Sequence, residues 1–155
     1  MLRFVVYNNA MDNNIFTGKS VIVCLQHTLT EEQNSDLTTA KSVVSLKTTN
    51  PELFARVANI DPEVDSETLK QLAQEFNNQL LGGYDIAILP IGSPEFQATC
   101  YVHLVSRHYD WAGLTSPPSL VFARSRRESV DEPQTDGTVI KKSVFKHAGW
   151  GTVSF

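Results

Sequence analysis

The sequence predicts an α/β fold: a mostly parallel sheet flanked by helices, with a C-terminal β-hairpin. Three observations predict it. The apolar run 19-KSVIVCLQH-27 passes straight into a helix-start signal, 28-TLTEEQ-33. A second run, 84-YDIAILPIG-92, does the same into 93-SPEFQAT-99. Beyond the strand 119-SLVFAR-124, Asp136-Gly137 separates two alternating segments. An apolar strand running directly into a helix is a βα turn, and repeated alternation of the two builds a parallel sheet covered by helices. Asp-Gly between alternating segments is a strong signal for a two-residue hairpin turn.

The elements follow in chain order. A strand-like run, 2-LRFVVYNN-9, opens the sequence and ends at the polar turn 8-NNAMDNN-14. After the second strand, Thr30 and Gln33 have the spacing of a capping box, in which hydroxyl and amide satisfy free N–H groups at a helix start. A short apolar run, 43-VVSL-46, precedes a helical turn after Pro51. From Ser66 to Leu81 the spacing predicts a helix, because Leu69, Leu72, Ala73, Phe76 and Leu80 share one face. Gly82-Gly83 closes it, since a left-handed C-cap costs glycine little. The run 84–92 is nearly continuous in apolar residues, as a strand buried on both faces would be. In the next helix Ser93 caps, Pro94 takes the first helical position and Glu95 favours the positive end. Phe96, Cys100 and Leu104 form its inner stripe, and Pro117-Pro118 marks the turn before strand 119–124.

At 155 residues the chain is expected to form one domain, 1–155, with 125–147 as a hairpin extension. That length buries roughly two-thirds of the unfolded surface. The net charge is −4, which argues against binding long nucleic acid. Charge is unevenly spread, however. Six of the 13 Lys and Arg lie in the 24 residues from Arg124 to His147. Any anion site is therefore a local patch. Cys24 and Cys100 lack a CxxC partner and sit inside apolar runs, the pattern of buried reduced thiols. No signal-peptide pattern and no apolar run of the ~18 residues that span a bilayer is present, so a cytoplasmic protein without membrane contact is expected.

A two-residue turn at Asp136-Gly137 sets the pairing of the hairpin. Glu132 then faces Lys141 and Asp131 faces Lys142, opposite-charge pairs worth about 0.2–1 kcal/mol each. Glu128 faces Phe145. At the base Arg127 faces Lys146 and Arg126 faces His147, so the charges are paired at the tip and unpaired at the base. Ligands of parallel sheets sit beyond the carboxyl ends of the strands. That rim gathers Gln26 and His27, Gly92 and Ser93, and Arg124 to Arg126. Arg124, Arg126, Lys146 and His147 then form an anion site, which the free N–H groups at the Ser93 helix start would complete. The competing reading is a solvated edge hairpin whose Lys and Arg discourage edge-to-edge aggregation.

Three stretches, 27-HTLTEEQ-33, 83-GYDIAILPIGSPEFQAT-99 and above all 126-RRESVDEPQTDGTVIKKSVFKH-147, resemble the small stand-alone CRISPR-associated proteins of type III systems. Those are similar to the CRISPR-associated Rossmann-fold (CARF) domains that sense cyclic oligoadenylate, and some members are ring nucleases. The family pattern begins at the H-x-L-T strand, so residues 1–18 are an addition, read as an edge strand or part of a dimer contact. The resemblance implies a Rossmann-like homodimer. It would bind a cyclic oligoadenylate, foremost the tetra-adenylate, across its two-fold axis.

Cleaving such a ring needs no outside nucleophile, because a ribose 2′-OH can attack the adjacent phosphorus. The protein must align that attack and stabilise charge on the phosphate. Arg126 and Lys146 are the candidates for charge stabilisation, with Ser93 assisting, and His27 or His147 for proton transfer. Gln26, Thr28, Gly92, Ser93, Arg124 and Ser125 are candidate binding contacts. No cluster has metal-ligand spacing and no cofactor motif is present, so a metal-independent reaction is expected. His103 and His108 read as helix surface or packing residues, Asp85 as structural, and Trp111 and Trp150 as packing residues rather than adenine platforms. Two other classes stay open: a protein that binds the cyclic nucleotide without cleaving it, and a protein-interaction module with a cationic edge hairpin.

Overall fold

The computed structural model describes residues 14–110 and 116–154. The expected strand over 2–9, the Trp111 side chain and the His108 side chain lie outside what is described. Five strands form one sheet in the order β2-β1-β3-β4-β5. They are β1 (Ser20–Val23), β2 (Ser42–Ser45), β3 (Ile86–Leu89), β4 (Ser119–Pro133) and β5 (Val139–Val153). The first four run parallel and β5 returns antiparallel to β4. The predicted α/β class, with its parallel sheet, flanking helices and hairpin, is what the chain forms.

The helices are α1 (Glu31–Asp36), α2 (Leu46–Thr49), α3 (Pro51–Ala58), α4 (Ser66–Leu80) and α5 (Pro94–Asp110). The capping box is made: Thr30 Oγ1 accepts from the Gln33 N–H at 3.2 Å, and Gln33 Oε1 accepts from the Thr30 N–H at 3.0 Å. Where one helical turn is expected after Pro51, α3 runs eight residues, because Leu53 and Val57 bury fully against the sheet. α4 buries the predicted stripe of Leu69, Leu72, Ala73, Phe76 and Leu80.

The two faces of the sheet carry separate cores. Ile22, Cys24, Ala87, Leu89 and Leu120 pack with Leu53, Val57, Phe76, Phe96, Cys100 and Leu104, placing α3, α4 and α5 on one face. Val21, Val23, Ile86, Ile88 and Val121 pack with Phe16, Leu25 and Leu37 on the other, with Leu29 and Trp150 partly buried beside them. Alternation along each strand enforces this division. No helix among the described residues is long and apolar enough to cross a membrane.

The hairpin differs from the sequence reading by one residue of register. Gln134 O accepts from the Gly137 N–H at 3.1 Å, and the Gln134 N–H donates to Thr138 O at 2.8 Å. The loop therefore has three residues, closed by Gly137 at φ +86, a left-handed conformation that favours glycine. Asp136 Oδ1 accepts from both the Thr138 N–H and its hydroxyl, fixing that loop. Asp131 consequently faces Lys141, Glu132 faces Ile140, Glu128 faces Val144, Arg127 faces Phe145, Arg126 faces Lys146 and Ser125 faces His147. The expected pairs of Arg127 with Lys146 and Arg126 with His147 are not made.

A second difference lies at the base. β5 continues past the expected end of the hairpin at His147 to Val153, so its last residues pair with the buried part of β4. A bulge separates the two halves: Ala123 faces Trp150 and Ser125 faces His147, leaving Arg124 opposite both Ala148 and Gly149.

Candidate functional site at the carboxyl rim of the sheet

β1 lies between β2 and β3, and the chain leaves the carboxyl ends of β1 and β3 toward opposite faces: α1 on the Phe16 side, α5 on the Phe96 side. This is the switch point at which open α/β sheets form a ligand crevice. The pairings of Val23 with Ile88 and of Leu89 with Phe122 put three successors at that rim. They are the loop carrying Gln26, His27 and Thr28, the loop carrying Gly92 and Ser93, and the segment from Arg124 to Arg126. Gln26, His27 and Thr28 are exposed.

The rim is braced by the end of α3. Gln26 Nε2 donates to Ala58 O at 2.9 Å, so its side chain closes the loop onto α3. Gly92, at φ +79, packs so tightly that a Cβ there would lie 2.7 Å from Phe96 Cδ1 and 3.2 Å from Val57 O. Any other residue would be strained in this turn. Gln97 Nε2 donates back to Gly92 O at 3.2 Å. Ser93 Oγ accepts from the Phe96 N–H at 3.2 Å, which caps α5 and leaves the hydroxyl proton free to donate outward.

Strand alternation assigns each hairpin residue to a face. Arg124 and Arg126 follow Leu120 and Phe122 onto the α5 side, and the cross-strand partner of Arg126 brings Lys146 there as well. The Arg124 guanidinium lies across Gly151, where an added Cβ would meet Nε at 2.9 Å and Nη2 at 3.1 Å. Arg126 and Lys146 are exposed, but neither is unpaired. Glu128 Oε1 is 3.4 Å from Arg126 Nε, and its Oε2 is 2.9 Å from Lys146 Nζ. Lys146, and then Arg126, hold the Glu128 carboxyl below the usual glutamate range. The expectation of unpaired charges at the hairpin base is thus replaced by a three-membered ion cluster. Toward the tip, Lys142 pairs with Glu132 at 3.6 Å.

His147 and Ser125 fall on the opposite face, with Trp150. His147 Nε2 is 3.3 Å from Asp36 Oδ2, and the same oxygen accepts from Trp150 Nε1 at 2.8 Å. His147 Nδ1 is buried and has no hydrogen-bond partner among the described residues. The Trp150 indole meets His147 and Phe16 edge-on, at 5.0 and 5.1 Å between ring centroids. The structure therefore brings Gln26, Gly92, Ser93, Arg124, Arg126 and Lys146 to one end and one face of the sheet, and places His147 and Ser125 across from them.

Elsewhere, Asp85 Oδ2 accepts from the Ser20 N–H at 2.8 Å at the amino end of the strands, far from the rim. Burial pushes the Cys24 thiol up strongly and the Cys100 thiol to about 12, so neither is a thiolate nucleophile. Among the described residues, no three His, Cys, Asp or Glu side chains form a group able to hold a metal ion. Sequence reasoning missed Glu128, Asp36 and Gly151. Glu128 was within reach, since Thr138 after Asp136-Gly137 suits the three-residue loop that puts it on the same face as Lys146, diagonally across the ribbon. Nothing local signals Asp36, which lies 111 residues from His147.

A family model described as "Uncharacterized protein MJ1673 family" matches residues 19–151. No curated protein and no solved structure matches the chain.

Proposed function

The chain belongs to the MJ1673 family, and we propose that it binds a cyclic oligoadenylate, foremost cyclic tetra-adenylate, and cleaves it as a metal-independent ring nuclease. In this reading the protein is a cytoplasmic homodimer that switches off type III CRISPR signalling. The resemblance of 126-RRESVDEPQTDGTVIKKSVFKH-147 to stand-alone CRISPR-associated proteins motivates the choice of ligand. The observation that carries the reading is that Arg124, Arg126 and Lys146 lie beyond the carboxyl ends of the strands, on the sheet face that also carries the capped start of α5.

The chemistry assigned to this rim is a transesterification. A ribose 2′-OH attacks the adjacent phosphorus and the P–O5′ bond breaks, leaving a 2′,3′-cyclic phosphate and a 5′-hydroxyl. Arg126 and Lys146 neutralise charge on the phosphate oxygens, while Arg124 and Ser93 hold a neighbouring phosphate. Alignment of the 2′-oxygen with the leaving oxygen supplies the rest of the acceleration. Of the two histidines considered for proton transfer, exposed His27 is the better placed, since His147 turns Nε2 to Asp36 and buries Nδ1. A binding-only role is the second reading, favoured by the turning of His147 toward Asp36 on the opposite face, which takes one of the two candidate proton-transfer groups away from the rim.

The test mixes protein with cyclic tetra-adenylate in EDTA and follows products by liquid chromatography. Linear adenylates ending in 2′,3′-cyclic phosphate are expected. An intact ring with a raised melting temperature supports the binding-only role, and an intact ring with no thermal shift overturns the proposal.

A further inference from the structure

Arg126 and Lys146 are directly opposite one another across β4 and β5. Two like charges in that position repel, and an anion in reach of both relieves the repulsion. The anion present is the chain's own Glu128, which offers one oxygen to each cation, at 3.4 Å and 2.9 Å. A phosphodiester bridging the same two cations would present two non-bridging oxygens in the same manner.

We infer that Glu128 is an internal counter-ion that occupies the phosphate position between Arg126 and Lys146 and must be displaced by the ligand. This rests on the reading of the cationic rim as an anion site. The consequence is an affinity threshold. Exchanging one carboxylate for one phosphodiester leaves the local charge unchanged, so a lone monoanion gains little. A ligand with a second phosphodiester also reaches Arg124, whose guanidinium lies on the same face across Gly151. Glu128 thereby raises the affinity threshold for every anion by the same factor, and a ligand carrying several phosphates clears it through its added contact with Arg124. The carboxylate is free to swing away, because it is on the exposed ribbon and its side chain keeps a third of its surface open.

Isothermal titration of wild type, Glu128→Gln and Glu128→Ala with inorganic phosphate and, separately, with cyclic tetra-adenylate tests this. Both variants are expected to bind each probe about fivefold tighter than wild type, the upper range for losing an exposed ion pair. Phosphate is also expected to raise the melting temperature of Glu128→Gln more than that of wild type, an effect that a merely structural residue would not produce. Unchanged or weaker binding by both variants overturns the inference. Arg126→Ala and Lys146→Ala separate the two levels. If they weaken binding while the Glu128 variants fail to strengthen it, only the role of Glu128 falls. If none of the four changes binding of either probe, the rim itself is not the anion site.

Discussion

Asp36 Oδ2 accepts the Trp150 indole N–H at 2.8 Å, a bond between residues 114 positions apart. It joins the end of α1 to the last strand of the sheet, and the same oxygen faces His147 Nε2. The side of the sheet opposite α3, α4 and α5 carries only α1 among the described helices, so this carboxylate is a principal tie across it. Asp36→Ala leaves a half-buried indole N–H without an acceptor and is expected to lower stability by about 1–2 kcal/mol in urea denaturation. Trp150→Phe removes the same bond while keeping a ring against Phe16. The double variant should lose less than the sum of the two single losses.

Gly92→Ala tests how the rim is built. The added methyl meets the Phe96 ring at 2.7 Å and must also adopt φ +79. We expect a loss of about 1–3 kcal/mol in thermal or urea unfolding, with ligand binding weakened at a temperature where the protein remains folded. An unchanged melting temperature would show that the turn relaxes freely.

Gly151→Ala acts differently. Its Cβ would collide only with the end of the Arg124 side chain, and Gly151 has no left-handed backbone to lose. The expected outcome is an unaltered melting temperature with cyclic tetra-adenylate binding weakened about as much as by Arg124→Ala. Combining the two substitutions should add nothing further.

The ion cluster at the hairpin base predicts a pH dependence. Glu128 is held below the ordinary glutamate range, first by its hydrogen bond from Lys146 and then by the charges of Lys146 and Arg126. A carboxyl depressed in the folded state stabilises above its unfolded pKa, and that contribution disappears as pH falls through the folded value. By nuclear magnetic resonance, the Glu128 carboxyl should therefore titrate below a glutamate in a peptide. In Lys146→Met it should move back up.

Both thiols should be silent in the native protein. Cys24 is fully buried and Cys100 nearly so, and desolvation raises both pKa values. A disulfide reagent at pH 8 is expected to modify neither until denaturant is added, when both react.

Much of this fold could be read from local signals. The capping box at Thr30 and Gln33, the stripe on α4 and the strand-to-helix passage at Gly92-Ser93 are each decided by neighbours in sequence, and each forms as those signals require. The hairpin register was not, because Asp-Gly suits a two-residue turn and a three-residue loop alike; the Thr138 bonds to Asp136 decide between them. One residue of slip exchanges the face of every cross-strand partner. That slip moved His147 away from Arg126 and brought Lys146 opposite it, on the face that Glu128 shares with Arg126. The continuation of β5 to Val153 was missed for a related reason: the Gly149 bulge breaks the alternation on which a strand is recognised.

The length of β4 has a consequence for how amide protons exchange with solvent. Around Val121 the strand is hydrogen-bonded to β3 on one edge and β5 on the other, with both faces covered. Beyond the bulge, around Val130, it has β5 alone, and a two-stranded ribbon is marginal by itself in water. A single continuous strand therefore spans two cooperative units. Amides near Val121 should open only with global unfolding, while those near Val130 should exchange through local fraying of the ribbon, many times faster.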